Sequence, residues 1–171
     1  VAQPETPRAP RLRPMLAISR SPLAAVGVVV AALSGASFRM TGPIFGQQVG
    51  LEITAIAYFL SSFVLGGAIA QYPIGYIADK IDRRWVLIWL SFAAIISCAV
   101  TSNITTTNIY TLMITAGLFG FTTFPIFSVA AAHAHDFAND YERVELSAAL
   151  MFFYAVGAIA APYTASVLMG T

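Results

Sequence analysis

Five long apolar segments, separated by short polar stretches, constrain the fold of this chain more than any other feature. They cover about residues 23–45, 53–77, 85–100, 109–132 and 146–168. A helix that crosses a bilayer needs about 20 mostly apolar residues. Hydrophobic residues make up 58% of the 171 and charged residues only 10%, whereas soluble domains carry about 25% charged residues. The sequence therefore predicts an all-α membrane protein in which residues 23–171 form a bundle of five transmembrane helices.

Residues 1–22 differ in composition from the rest of the chain. They are rich in proline and arginine and show no apolar periodicity. Such a composition is typical of an extended linker or tail. We therefore expect residues 1–22 to form no element of the fold.

The placement of the basic residues predicts the orientation of the bundle. Apart from Arg39, they lie before the first apolar segment, between the second and third, and between the fourth and fifth. The cytoplasmic loops of membrane proteins carry an excess of lysine and arginine. We therefore expect an integral protein of the plasma (inner) membrane with its N-terminus in the cytoplasm.

The polar stretch between the second and third apolar segments, residues 75–84, reads Gly-Tyr-Ile-Ala-Asp-Lys-Ile-Asp-Arg-Arg. Gly75 removes a side chain where a second helix could approach closely. Asp79 lies at the membrane surface, where a carboxylate can bind the free N–H groups at a neighbouring helix N-terminus. The basic residues can pair with acidic groups or lipid phosphates. One interpretation is an ordinary cytoplasmic loop that follows the positive-inside rule. The other is a conformational latch formed by Gly75, Asp79, Lys80, Arg83 and Arg84.

This stretch resembles the loop signature of the major facilitator superfamily, G-x-x-x-D-[RK]-x-G-[RK]-[RK], with Asp82 where the signature usually has glycine. Residues 120–136, 142–147 and 157–162 are similar to the last third of YcaD-like members of that family. Such members have twelve helices in two six-helix halves joined by a basic linker. The resemblance implies that residues 1–22 correspond to the linker. The five apolar segments then correspond to helices seven to eleven, which are most of the C-terminal half.

The resemblance also implies a function, that of a secondary active transporter which moves a small solute by alternating access and is not an enzyme. The expected partners are the N-terminal half of the transporter, a small-molecule substrate and membrane lipids, but no nucleic acid. The sequence has no Gly-rich phosphate loop and no nucleophile with a histidine and an acid partner, so no ATP-driven pump, hydrolase or cofactor is predicted. The alternative is a non-transporting membrane scaffold, which would explain the apolar segments but not the loop signature.

Five side chains are candidates for the wall or gate of a substrate cavity, namely Arg39, Gln71, Phe124, His133 and Tyr154. Arg39 is the one formal charge inside a predicted span, and charges inside the membrane usually mark functional sites. The alternative for Arg39 is an arginine that extends to the outer interface. Gln71 can bond a substrate or link two helices.

A further set of residues is predicted to shape helix packing or helix kinks. Its members are Pro73, Pro125, Gly157 and Pro162. His133 and His135 lie close to Asp136, but no further ligand cluster accompanies them, so no metal site is predicted.

Overall fold

The computed structural model describes residues 12–103 and 108–169. Five of its helices are long and apolar enough to cross a membrane, and each lies over one of the five predicted apolar segments. The prediction of an all-α membrane protein with five transmembrane helices is therefore confirmed. The helices are α1 (Pro14–Arg20), α2 (Pro22–Gln48), α3 (Ile53–Ala78), α4 (Arg83–Ser102), α5 (Ile109–His135) and α6 (Arg143–Met169), with a 3-10 turn at Asp140–Glu142.

Helices α4 and α6 begin before the predicted apolar segments, and polar residues form a cap at the start of α4 and a capping box in the turn before α6. Oδ1 of Asp82 accepts a hydrogen bond of 2.9 Å from the backbone N–H of Arg84, in the first turn of α4. Before α6, Asn139 and Glu142 form a capping box in the 3-10 turn. Such caps satisfy the free N–H groups of a first helical turn. Asp82 is therefore a helix cap in this loop.

Helix α1 contradicts the expectation that residues 1–22 form no element of the fold. Pro14 occupies its first turn, where the fixed φ of proline suits a helix. Arg20, its last residue, donates two hydrogen bonds of 2.7 Å to the carboxylate of Glu142. These hydrogen bonds raise the pKa of Arg20, so the guanidinium keeps its charge. A tertiary contact therefore stabilises a short helix that composition does not predict, whereas residues 1–11 lie outside the described part of the chain.

The most extensive helix contact joins α3 and α5, and glycines make it possible. A Cβ atom at Gly66 would lie 2.0 Å from the carbonyl oxygen of Gly117. A Cβ atom at Gly120 would lie 1.9 Å from the carbonyl oxygen of Phe63. Real Cβ atoms do not approach so closely, and small residues are what allow helix backbones in membranes to touch. The two helices are therefore in direct backbone contact.

Helices α2 and α6 form a second close pair at Gly157. A Cβ atom there would lie 2.7 Å from the carbonyl oxygen of Val29 and 2.9 Å from Cβ of Ala32. Gly157, predicted to shape helix packing or a kink, lies at this contact. Since α2 also packs against α5, the two pairs face each other and leave a cavity between them.

Short connections make neighbouring helices antiparallel, so several charged segments meet at one end of the bundle. This charged end consists of residues 79–84, residues 136–145 and α1. Towards the opposite end, aromatic rings fill the space between α2, α3 and α5. The Phe38 and Phe63 rings stack with centroids 4.2 Å apart, and Phe119 lies 5.8 Å from Phe63. One end of the bundle is therefore held by charges and the other by aromatic packing.

Candidate functional site

A cavity of about 220 Å³ lies between α2, α3, α5 and α6. Its wall contains four of the five side chains predicted to line a cavity or gate, namely Arg39, Gln71, Phe124 and Tyr154. It is completed by Ala31, Gly35, Thr123, Phe127, Ser128 and Met151. Most of these residues lie near the middle of their helices, so a solute in the cavity would lie at the depth of the membrane-spanning part of the bundle.

The structure places His133 outside this cavity. Its ring lies at the charged end and packs edge-on against Phe137, with centroids 5.1 Å apart. The geometry of the described residues therefore does not support the predicted role of His133 in a gate. Within the same residues, no group of three His, Cys, Asp or Glu side chains is placed to hold a metal ion.

The guanidinium of Arg39 points back towards the middle of α2. A Cβ atom at Gly35 would lie 3.5 Å from Nη2 of Arg39. An arginine that extends to the nearer interface would point the other way, towards the helix end at Gln48. Among the described residues, Arg39 has no hydrogen-bond or ion-pair partner. The geometry thus favours the cavity interpretation of Arg39 and leaves its charge available to a ligand.

Gln71 links two helices across the wall of the cavity. The hydroxyl of Ser128 on α5 donates a hydrogen bond of 3.0 Å to Oε1 of Gln71 on α3. Both residues also line a smaller cavity of about 90 Å³, whose wall includes Asp79 and Arg83. The Gln71–Ser128 hydrogen bond therefore lies between the larger cavity and the charged end. Ser128 was not predicted, although it lies one helical turn after Phe124 and this spacing places both on one face.

The two predicted aromatic residues are held by neighbouring rings. Phe124 packs edge-on against Phe63, with centroids 5.1 Å apart, and it occupies the groove that Gly67 leaves open. Tyr154 packs edge-on against Phe127 at 5.3 Å. Edge-to-face pairs are favourable arrangements of aromatic rings. The apolar side of the cavity is therefore already in place without a ligand.

Arg83 is the centre of an ion cluster at the charged end. Its Nη2 donates to Oδ1 of Asp79 at 3.0 Å, and its Nη1 donates to Oδ1 of Asp136. Asp79 and Asp136 are the C-caps of α3 and α5, where the negative ends of the helix dipoles disfavour a carboxylate. The guanidinium compensates both carboxylates and both helix ends. One side chain on α4 thereby joins three helices.

The other members of the predicted latch do not make the contacts that the sequence predicts for them. A Cβ atom at Gly75 would meet no described atom within 4 Å, so the close helix approach expected there is not made within the described residues. Asp79 accepts its hydrogen bond from Arg83 and not from a helix N-terminus formed by these residues. Lys80 contacts Tyr76, with Nζ 4.1 Å from the ring centroid, and Arg84 is exposed. The latch therefore stays a prediction.

The prolines predicted to kink helices lie inside continuous helices. Pro73 is in α3, Pro125 in α5 and Pro162 in α6. Pro125 is buried and lines the smaller cavity. Since a proline removes one backbone hydrogen bond from its helix, each remains a candidate site of bending.

Known proteins resemble this chain over nearly its whole length. The family model of the Major Facilitator Superfamily matches residues 24–171. An uncharacterized MFS-type transporter of Enterobacter sp. (strain 638) is 27% identical over 157 residues, which are 91% of this chain and 40% of that protein. The uncharacterized MFS-type transporter YcaD of Salmonella heidelberg (strain SL476) is 26% identical over 167 residues, which are 98% of this chain and 42% of that protein. No solved structure matches the chain.

The chain thus spans about two fifths of the length of these relatives. The matches confirm the resemblance that the loop signature and the later segments carry. Together with the five apolar helices, they show an integral membrane protein. The chain belongs to the major facilitator superfamily.

Proposed function

We propose that this chain forms one wall of a secondary active transporter that moves a small solute across the membrane by alternating access. The observation that carries the proposal is the cavity between α2, α3, α5 and α6, whose wall combines Arg39 and Gln71 with aromatic rings. Polar side chains inside a membrane bundle usually face a partner or a water-filled cavity. Substrate sites of secondary transporters lie near the bilayer midplane, between two structural repeats. In this proposal the opposite wall belongs to an N-terminal half.

The charged end supplies contacts that can open and reform during transport. The side chain of Asp79 is 72% exposed and that of Asp136 is 48% exposed. Ion pairs of exposed groups contribute roughly 0–1 kcal/mol each, so a conformational change can separate them. We place the charged end in the cytoplasm, at the plasma (inner) membrane, because it collects the basic residues. Asp79 then contacts a helix N-terminus of the other half when the protein is open to the outside.

The cavity favours transport over the alternative function of a non-transporting scaffold. The closely packed glycines make contacts within this bundle, between α3 and α5 and between α2 and α6, so they give no separate evidence for a scaffold surface. A scaffold gives no reason for an arginine and a glutamine to face one cavity. A site for a polar or charged solute gives that reason.

Cysteine labelling in the full-length protein tests this proposal. A cysteine replaces Met151 in the cavity wall or, as a control, Ile95 on the exposed face of α4, with all other cysteines, including Cys98, changed to serine. Alternating access predicts that a membrane-impermeant thiol reagent labels the cysteine at position 151 from both sides of the membrane. The cysteine at position 95, which faces lipid, should be labelled from neither side. Labelling of position 151 from one side only, or from neither, would contradict the proposal.

A further inference from the structure

We infer that the cavity binds an amphipathic organic anion, with its acidic group on Arg39 and its apolar body against Phe124 and Tyr154. This inference rests on the proposed function and adds the chemical class of the solute. Three properties of the cavity support it: its charge, the direction of its hydrogen-bond donors and the nature of its apolar wall.

The part of the cavity wall that the described residues form carries a positive charge without a counterion. Among these lining residues Arg39 is the one charged side chain, and none is Asp or Glu. The ion pairs of the described residues lie instead at the charged end, among them Arg83 with Asp136 and Arg20 with Glu142. A charge inside a membrane is unfavourable unless it is paired. A bound anion would provide that pairing, whereas a cationic solute would be repelled.

Gln71, a second polar residue of the cavity wall, also presents a donor to the cavity. The carbonyl oxygen of the Gln71 side chain accepts from Ser128, which leaves the amide NH₂ group as a donor. The hydroxyl of Thr123 offers no free donor, because it already donates to the carbonyl oxygen of Phe119 in its own helix at 2.7 Å. An Arg guanidinium presents a planar fork of donors that matches a carboxylate or phosphate. The arrangement of Arg39 and Gln71 therefore suits an acceptor-rich, negatively charged group.

The remaining wall suits the apolar part of such a solute. Phe124 and Tyr154 face the same cavity as Met151. Their rings are held edge-on by Phe63 and Phe127, so little ordering is needed when a ligand binds. An inorganic anion would leave this apolar surface unused. An aromatic or medium-chain acid would cover it.

Protection of the cysteine at position 151 from thiol labelling tests the inference in the purified full-length protein. The probes are three acids, benzoate, 4-phenylbutyrate and octanoate, and three matched amines, benzylamine, 4-phenylbutylamine and octylamine. We expect the acids to slow labelling and the amines to have no effect. Arg39→Gln should raise the acid concentration that gives half-protection by at least about tenfold, the effect of losing a charge-assisted hydrogen bond. Arg39→Lys, which keeps the positive charge, should raise this concentration by a smaller factor.

The matched control is Arg143→Gln, because Arg143 is exposed, pairs with Asp140 at 3.2 Å and lies outside the cavity. It should leave protection by the acids unchanged. Equal protection by the amines, protection that is insensitive to Arg39→Gln, or no protection by any of the three acids would overturn the anion assignment. In each of these outcomes the cysteine at position 151 still reacts with the thiol reagent, so the proposed function is not contradicted. Failure of the cysteine at position 151 to react from the aqueous phase would contradict the proposed function instead.

Discussion

The middle and the charged end of α3 are held by two different kinds of contact. In the middle, Gly66 lies against the backbone of α5 so closely that a Cβ atom would reach within 2.0 Å of a carbonyl oxygen. At the charged end, Gly75 has no described atom within 4 Å of its Cβ position, and Arg83 makes the connection to the neighbouring helices through its carboxylate partners. Dense packing does not deform gradually, whereas exposed ion pairs exchange partners easily. The difference predicts that α3 and α5 move as one unit and that conformational change is concentrated at the charged end.

The largest effect is expected from Gly120→Val in the middle of the α3–α5 contact. The added side chain would overlap the carbonyl oxygen of Phe63, which lies 1.9 Å from the Cβ position. Overpacking that forces the backbone to move destabilises by roughly 1–3 kcal/mol and occasionally by more. We expect size-exclusion chromatography of the full-length variant to show little monodisperse protein. The protein that remains should have a lower thermal unfolding temperature.

The control for this prediction is Gly75→Ala on the same helix. Because no described atom occupies that space, it should fold at least as well as the parent, and alanine is favoured over glycine in a helix by roughly 0.5–1 kcal/mol. Equal damage by Gly75→Ala and Gly120→Val would abolish the distinction between the two parts of α3. Normal folding of Gly75→Ala with reduced transport would strengthen the distinction, because it would indicate that the other half of the transporter approaches Gly75.

The next effect concerns the two aspartates of the loop. Loss of a contact between Asp79 and a helix N-terminus of the other half would remove up to about 2 kcal/mol, which shifts a two-state equilibrium roughly thirty-fold. Asp79→Asn should therefore express nearly normally but favour the form open to the cytoplasm and transport poorly. Asp82→Asn should be mild, because asparagine caps a helix as well as aspartate does. Equal transport rates for the two variants at matched expression would remove the reason for calling Asp79 a latch.

The smallest effect is expected at the contact between α1 and the segment before α6. A double-mutant cycle with Arg20→Gln and Glu142→Gln should give a small favourable coupling, because Nη2 of Arg20 lies 2.7 Å from each carboxylate oxygen of Glu142. Part of each side chain is accessible to solvent, so the coupling in thermal unfolding should decrease as salt is added. A coupling of zero at low salt would mean that the Arg20–Glu142 pair does not stabilise the contact of α1 with this segment.

The sequence predicted the helices and named four of the ten residues that line the cavity, because both depend on local patterns. An apolar segment of sufficient length is predicted to cross the membrane wherever it packs in the bundle. Arg39 and Gln71 can be identified as candidates because they are polar residues inside such segments. The difference in packing between Gly75 and Gly120 could not be predicted. Both residues are glycine, and which of them contacts another helix depends on how two helices are aligned. The pairing of Arg83 with Asp136 could not be predicted either, because it joins helix ends that are 53 residues apart. Helix α1 could not be predicted from the composition of residues 1–22 either, because its contact with Glu142 forms only in the folded chain.

The central claim is that the cavity opens alternately to the two sides of the membrane and that the charged end controls the change. The most direct test is the labelling of a cysteine at position 151 from each side separately, in right-side-out and inverted vesicles, with and without Arg83→Gln. Loss of the ion cluster should make labelling from the charged-end side faster and labelling from the opposite side slower, while Arg143→Gln changes neither rate. Rates that rise together on both sides, or that do not change, would contradict the account.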